Sequence, residues 1–184
     1  MRNRIAAEVK AAIAGEPYMQ SKLYAGEPLS LDELAEAEAY VIGHPAISSY
    51  HLLMALRDQR PRAYAQITDE IKAKVLCNAM ARLAFLNDFG YLDPSESYDD
   101  MAGKAIIEVG KPALPCLVRL LEDRSEAPLS GSQPATLFAA FHYRRADFAY
   151  RHIMLILGRR PTFPADLAER DKLIGELQKE MVSK

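Results

Sequence analysis

The sequence predicts an all-α fold of antiparallel helical hairpins stacked side by side, and three observations predict it. Apolar residues recur three and four apart along most of the 184 residues, the spacing that lays one stripe along a helix. Strand-type alternation is not sustained over any useful length. The third observation is a repeated corner: Ile42-Gly43-His44-Pro45-Ala46-Ile47 returns as Val109-Gly110-Lys111-Pro112-Ala113-Leu114. A glycine closes each first helix, because glycine enters the left-handed region readily. A proline opens the next helix, where first-turn amides lack partners anyway. Leu157-Gly158-Arg159-Arg160-Pro161 is a looser third version.

The elements follow in order. Ile5, Val9, Ala12 and Ile13 make one stripe in an N-terminal helical cap over residues 1–29. Ser30-Leu31-Asp32-Glu33 is a capping box, in which hydroxyl and carboxylate satisfy orphan amides, and the helix it opens stops at Gly43. The next starts at Pro45, carries Ile47, Tyr50, Leu53, Met54 and Leu56, and ends near Arg57. A long run from Asp69 to Leu86 turns Leu76, Ala79, Leu83 and Leu86 to one face. A turn-rich aromatic loop follows, then helices over Met101 to Val109 and Pro112 to Glu122. Residues 124–145 form an insertion with a loop and a short helix near Ala135 to His142. Helices from Asp147 to Leu157 and Ala165 to Met181 complete a single domain over 1–184.

Composition narrows the function classes. With 49% hydrophobic and 26% charged residues the chain has the balance of a globular domain. A net charge of -2 gives no bulk attraction for polyanions, so nucleic-acid binding would need a local patch. Cys77 and Cys116 are far apart and lack metal-ligand spacing; they read as two core thiols in a reducing cytoplasm, not as a disulfide or a zinc site. No apolar run approaches the roughly 20 residues that span a bilayer. The basic start Met1-Arg2-Asn3-Arg4 suits a signal peptide, but Glu8 and Lys10 interrupt the following apolar segment. The expected location is cytoplasmic.

The stretch Ala102 to Asp123, AGKAIIEVGKPALPCLVRLLED, resembles a HEAT repeat. Its first helix ends in Val-Gly; its second opens with Pro-Ala-Leu and closes with Leu-Leu-Glu-Asp. Ala39 to Asp58 resembles the same unit more faintly. The resemblance implies a short right-handed α–α superhelix of HEAT-like, armadillo-type hairpins. It brings no functional residues with it. HEAT-like families include scaffolds, transport receptors, chromophore lyases and DNA repair glycosylases, so the fold does not select the function. The favoured expectation is a non-enzymatic protein-binding or scaffold module, since helical repeats present extended surfaces. The alternatives are a nucleic-acid binder, of a repair-related kind, and a lyase-type enzyme. A deep pocket lined by Tyr50, His51 and Tyr143 would favour the lyase.

The binding residues expected for an anionic partner are arginines. Arg57, Arg60 and Arg62 follow one hairpin helix, and Arg144, Arg145 and Arg151 crowd the last unit. Arg119, Arg124, Arg159 and Arg160 also sit near helix ends. Stacked hairpins would align them as a ridge whose guanidinium forks suit carboxylates or phosphates. The competing explanation is that basic residues at helix C-termini answer the helix dipole. No catalytic set, metal or cofactor is expected. His44 and His142 sit at helix ends, His51 lies within the second hairpin helix with no second His or Cys at metal spacing, and His152 suits a core or boundary position. Asp32, Glu33, Glu36, Glu38, Glu96, Asp99 and Asp100 fall near helix starts. Phe89, Tyr91 and Tyr98 form either an exposed recognition loop or a satellite core.

Overall fold

A computed structural model describes residues 3–26, 28–92 and 100–182. Among the described residues every regular element is helical, and eleven α-helices occur. The first is α1 (Asn3–Ile13), which buries Ile5, Val9 and Ala12; Ile13, expected in the same stripe, is instead 60% exposed. A 3₁₀ turn at Tyr18–Gln20 and the one-turn α2 (Lys22–Ala25) complete the N-terminal segment. The capping box forms as expected at the start of α3 (Leu31–Gly43): Ser30 Oγ accepts from the Glu33 amide, and the Glu33 carboxylate accepts from the Ser30 amide.

Next comes α4 (Tyr50–Gln59), preceded by a 3₁₀ turn at Ile47–Ser49. Pro45 therefore lies ahead of this helix rather than opening it. Every residue from Tyr50 to Leu56 is buried, the pattern of a helix enclosed on all sides. It packs against α1, α3 and two later helices, α5 (Pro61–Gln66) and α6 (Asp69–Arg82). Sequence pattern predicts no α5, because six residues are too few to show a helical period. The run expected to Leu86 stops at Arg82, although Leu83 and Leu86 are still buried.

Beyond a 3₁₀ turn at Asn87–Phe89 come α7 (Met101–Val109) and α8 (Leu114–Leu120), both of which pack on α6 and α10. The corner between them behaves as predicted at the glycine, where Gly110 has φ 69° and ψ -133°, but Pro112 sits in a 3₁₀ turn ahead of α8 rather than opening it. The first corner departs at the glycine as well. Gly43 is the last residue of α3 without a positive φ, and His44 caps the helix at φ -134°. Tyr40 stacks on the His44 ring at 4.3 Å, so an aromatic cap holds this end instead.

The insertion carries α9 (Ser132–Phe141); α10 (Arg145–Ile156) and α11 (Leu167–Val182) follow. Helix α10 packs on α7, α8 and α11. The core is aromatic as well as aliphatic: Tyr18, Tyr50, Tyr143, Phe89 and Phe148 are among its largest fully buried side chains. Phe89 and Tyr91 thus belong to the core, not to an exposed loop. Tyr98, Glu96 and Asp99 lie outside the described residues.

The cysteines overturn an expectation. Cys77 on α6 and Cys116 on α8 are joined by a disulfide, with Cα atoms 6.2 Å apart across a sequence separation of 39. Neither is a free thiol. Sequence spacing cannot reveal such a pair, since only the packing of α6 on α8 brings the two positions together. No helix of the described chain is long and apolar enough to cross a membrane.

Candidate functional site

The predicted arginines divide into two groups. Four have guanidinium groups engaged within the chain. Arg57 reaches from α4 to Glu108 on α7, with two nitrogens 2.7 and 3.3 Å from the carboxylate. Arg144 is buried and donates to Asp147 at 3.0 Å while pairing with Asp171 at 2.9 Å. Asp147 also accepts from Arg170 at 2.8 Å, so one buried carboxylate sits between two arginines. Arg145 donates to the carbonyls of Met80, in the last turn of α6, and of Leu83, its C-cap. These are orphan acceptors of a helix C-terminus, and a cation suits them. Arg151 donates to Phe89 O at 3.4 Å and pairs with Asp100 at 3.5 Å.

Arg60 and Arg62 are the other group. They line an open cleft of about 650 Å³ with Glu38, Gln59, Pro61, Ala63 and Gln66. Arg60 lies 3.8 Å from Glu38, a loose and half-exposed contact worth little in water. Arg62 is exposed and has no ion pair with a described residue.

The histidines and acids are built into the core. His51 Nε2 donates to Glu16 O at 2.8 Å, and Nδ1 shares a hydrogen with Glu8 Oε2 at 2.7 Å. Asp88, 1% exposed, accepts from the Tyr18 amide and the Tyr50 hydroxyl, both at 2.6 Å. Burial raises the Asp88 carboxyl above its ordinary range, against the pull of these hydrogen bonds. Burial likewise pushes the Tyr50 phenol well up, with the Asp88 charge adding to it. Tyr50, His51 and Tyr143 are packed inside the core, at 0%, 0% and 2% exposure. His152 Nδ1 donates to Phe148 O at 2.7 Å. Among the described residues no group of three His, Cys, Asp or Glu could hold a metal ion.

The helix α9 differs from all of these. Its sequence SQPATLFAAF carries no charged residue, yet of its ten residues only Pro134 is buried. Leu137, Phe138 and Phe141 are half-buried, while Ala135, Thr136, Ala139 and Ala140 are exposed. Both ends are fastened. At the front, Asn87 brackets Ser130, accepting from its amide at 2.7 Å and donating to its carbonyl at 2.8 Å. At the back, Arg170 donates to Phe141 O, and His142 turns the chain at φ 47°. The Ala127 amide donates to Tyr143 O at 2.8 Å, closing the loop at its neck. The chain therefore holds an uncharged helix between two anchors, with Leu137, Phe138 and Phe141 packed in part against the core and its alanines open to solvent. The sequence marks this segment only as an insertion; its exposure depends on packing that no local pattern records.

No protein family, curated protein or solved structure matches the chain.

Proposed function

We propose that this chain is a non-enzymatic protein-binding module in which HEAT-like stacked hairpins support α9 as the docking element. The observation that carries the proposal is α9 itself, free of charge and burying only Pro134. Large apolar side chains left partly in water at a fastened position mark an interaction surface. The absence of charge selects the partner's chemistry. A helix that lies on lipid needs a cationic polar face, and a phosphate-tracking surface needs lysines or arginines. Between Ser132 and Phe141 there are neither. What remains is a protein offering an apolar groove, entered by one helix face with Leu137, Phe138 and Phe141 as anchors.

Support for stacked helices comes from α3 packing on α4 and from α10 lying on α7 and α8. The nucleic-acid alternative loses support because Arg57, Arg144, Arg145 and Arg151 spend their donors inside the chain. The lyase alternative loses it because Tyr50, His51 and Tyr143 are core side chains.

The test is a photo-crosslinking residue at Ala139 in the native host. A single discrete protein adduct is expected. Phe138→Glu should abolish it while the chain stays folded, because that ring is only half-buried. A lipid adduct, a self-adduct or no adduct would overturn the proposal.

A further inference from the structure

The Cys77–Cys116 bond does not lie deep in the fold. Both cysteines line a surface groove of about 210 Å³ with Asn78, Ala81, Arg119 and Leu120. The two sulfurs are not equivalent. Cys77 is 5% exposed on the inner side of α6, whereas Cys116 on α8 is partly open to solvent. A thiolate approaching from water meets Cys116 first, which leaves Cys77 as the departing sulfur.

Arg119 lies three residues beyond Cys116, one turn along the same helix face. It is exposed and has no ion pair with a described residue. Here a fixed positive charge borders a solvent-facing disulfide. Such a charge favours thiolate over thiol and raises the local concentration of anions.

We propose that this groove is a thiol-exchange site: Cys116 takes up a small thiol that carries carboxylates, and Arg119 recruits it. The step balances as follows. The thiolate attacks Cys116 Sγ, a new S–S bond forms, and the Cys77–Cys116 bond breaks with its electron pair on Cys77. The Cys77 thiolate takes a proton from water. A second thiolate of the same class attacks the small-molecule sulfur of the mixed disulfide. It leaves as the oxidised dimer, and Cys116 is released as a thiolate. Two small thiols are oxidised and one protein disulfide is reduced. Because α6 packs directly on α8, the exchange releases a covalent tie between neighbouring helices.

The experiment uses the folded, oxidised chain with glutathione as the anionic thiol and 2-mercaptoethanol as the neutral one. Released thiols and adduct mass are followed without denaturant. Glutathione should open the wild-type bond, and Arg119→Gln should slow it about threefold or more while leaving the 2-mercaptoethanol rate unchanged. In a second arm, Cys77→Ala and Cys116→Ala are given oxidised glutathione. Cys77→Ala should gain an adduct on Cys116 quickly, and Cys116→Ala should gain one on Cys77 slowly. Thiols that appear only after unfolding, equal adduct rates in the two cysteine variants, or an Arg119→Gln change shared by both thiols would each overturn the proposal. Should a cysteine variant fail to fold, the Arg119 comparison decides alone.

Discussion

Arg151 Nη1 stands 3.3 Å from His152 Nε2, and complete burial, aided by this charge, holds the imidazole in its neutral form. The ring has one proton, on Nδ1, given to Phe148 O at 2.7 Å; Nε2 is left as an acceptor beside a guanidinium. Burial, then the Arg151 charge, depress the imidazole from 6.5 to about 3, with the Phe148 bond opposing.

A pH dependence follows. Between pH 6.5 and about 3 the unfolded chain binds a proton at His152 that the folded chain does not. The stability His152 contributes is complete above pH 6.5 and is lost as pH falls, by at most about 1.4 kcal/mol per pH unit. Asp88 works in the other direction. Its raised carboxyl keeps a proton in the folded state where the unfolded chain has lost it, so its contribution weakens as pH rises through the carboxylate range. Denaturant melts of wild type and His152→Asn from pH 7 to 4 separate the two. The variant's slope should be lower by about one proton; parallel curves would refute the neutral, buried histidine.

Two glycines should fail for different reasons. A Cβ on Gly103 would lie 3.0 Å from Phe89 O and 3.1 Å from His152 Nε2. Gly103→Ala therefore forces α7 away from α10 and should cost roughly 1–3 kcal/mol. At Gly110 the nearest atom is 3.8 Å away, so space is not the obstacle. Its φ of 69° with ψ of -133° lies where only glycine rests without strain. Gly110→Val should cost about 1 kcal/mol or more. An unchanged melting temperature in either variant would contradict the assigned geometry.

What was legible in the sequence was whatever is encoded within a few residues. Ser30 and Glu33 announce the start of α3, and the apolar spacing of Ala102, Ala105, Ile106 and Val109 delimits α7, because caps and stripes are local devices. The enclosure of α4 was not legible. His51, Leu52 and Ala55 lie off the expected face, and a helix buried all round shows no period. The arginines teach the same lesson. Their positions near helix ends can be read directly, but Glu108 answers Arg57 and Asp171 answers Arg144 across long sequence gaps. The composition of α9 would suit a core helix equally well, so only tertiary packing reveals that its alanines face solvent.

Arg144 and Arg62 should respond oppositely to removal. Arg144→Ala strips Asp147, 1% exposed, of one of its two cations. With Arg170 still paired to Asp147, losing these charge-assisted hydrogen bonds should cost about 1.5–3 kcal/mol. Arg144→Lys should restore little, since an ammonium cannot reproduce the fork spanning Asp147 and Asp171. Arg62→Ala touches no ion pair with a described residue and should stay within about 0.5 kcal/mol. Comparable losses at the two positions, measured by chemical denaturation, would mean that Arg62 has a structural role.

Reduction of Cys77–Cys116 should destabilise the chain measurably. Closing a loop of this length, with a separation of 39 residues, removes unfolded-state entropy worth about 4 kcal/mol at most. For a chain of 184 residues each kcal/mol moves the melting point by roughly 2–4 °C, so reduction should lower it by about 10 °C. The double variant Cys77→Ser, Cys116→Ser should melt near the reduced wild type and ignore dithiothreitol. That comparison separates the cross-link from side effects of the reductant, because the variant lacks the bond while sharing the buffer. Oxidised and reduced wild type with the same melting point would show that α6 and α8 are held by packing alone and that the tie contributes nothing to the fold.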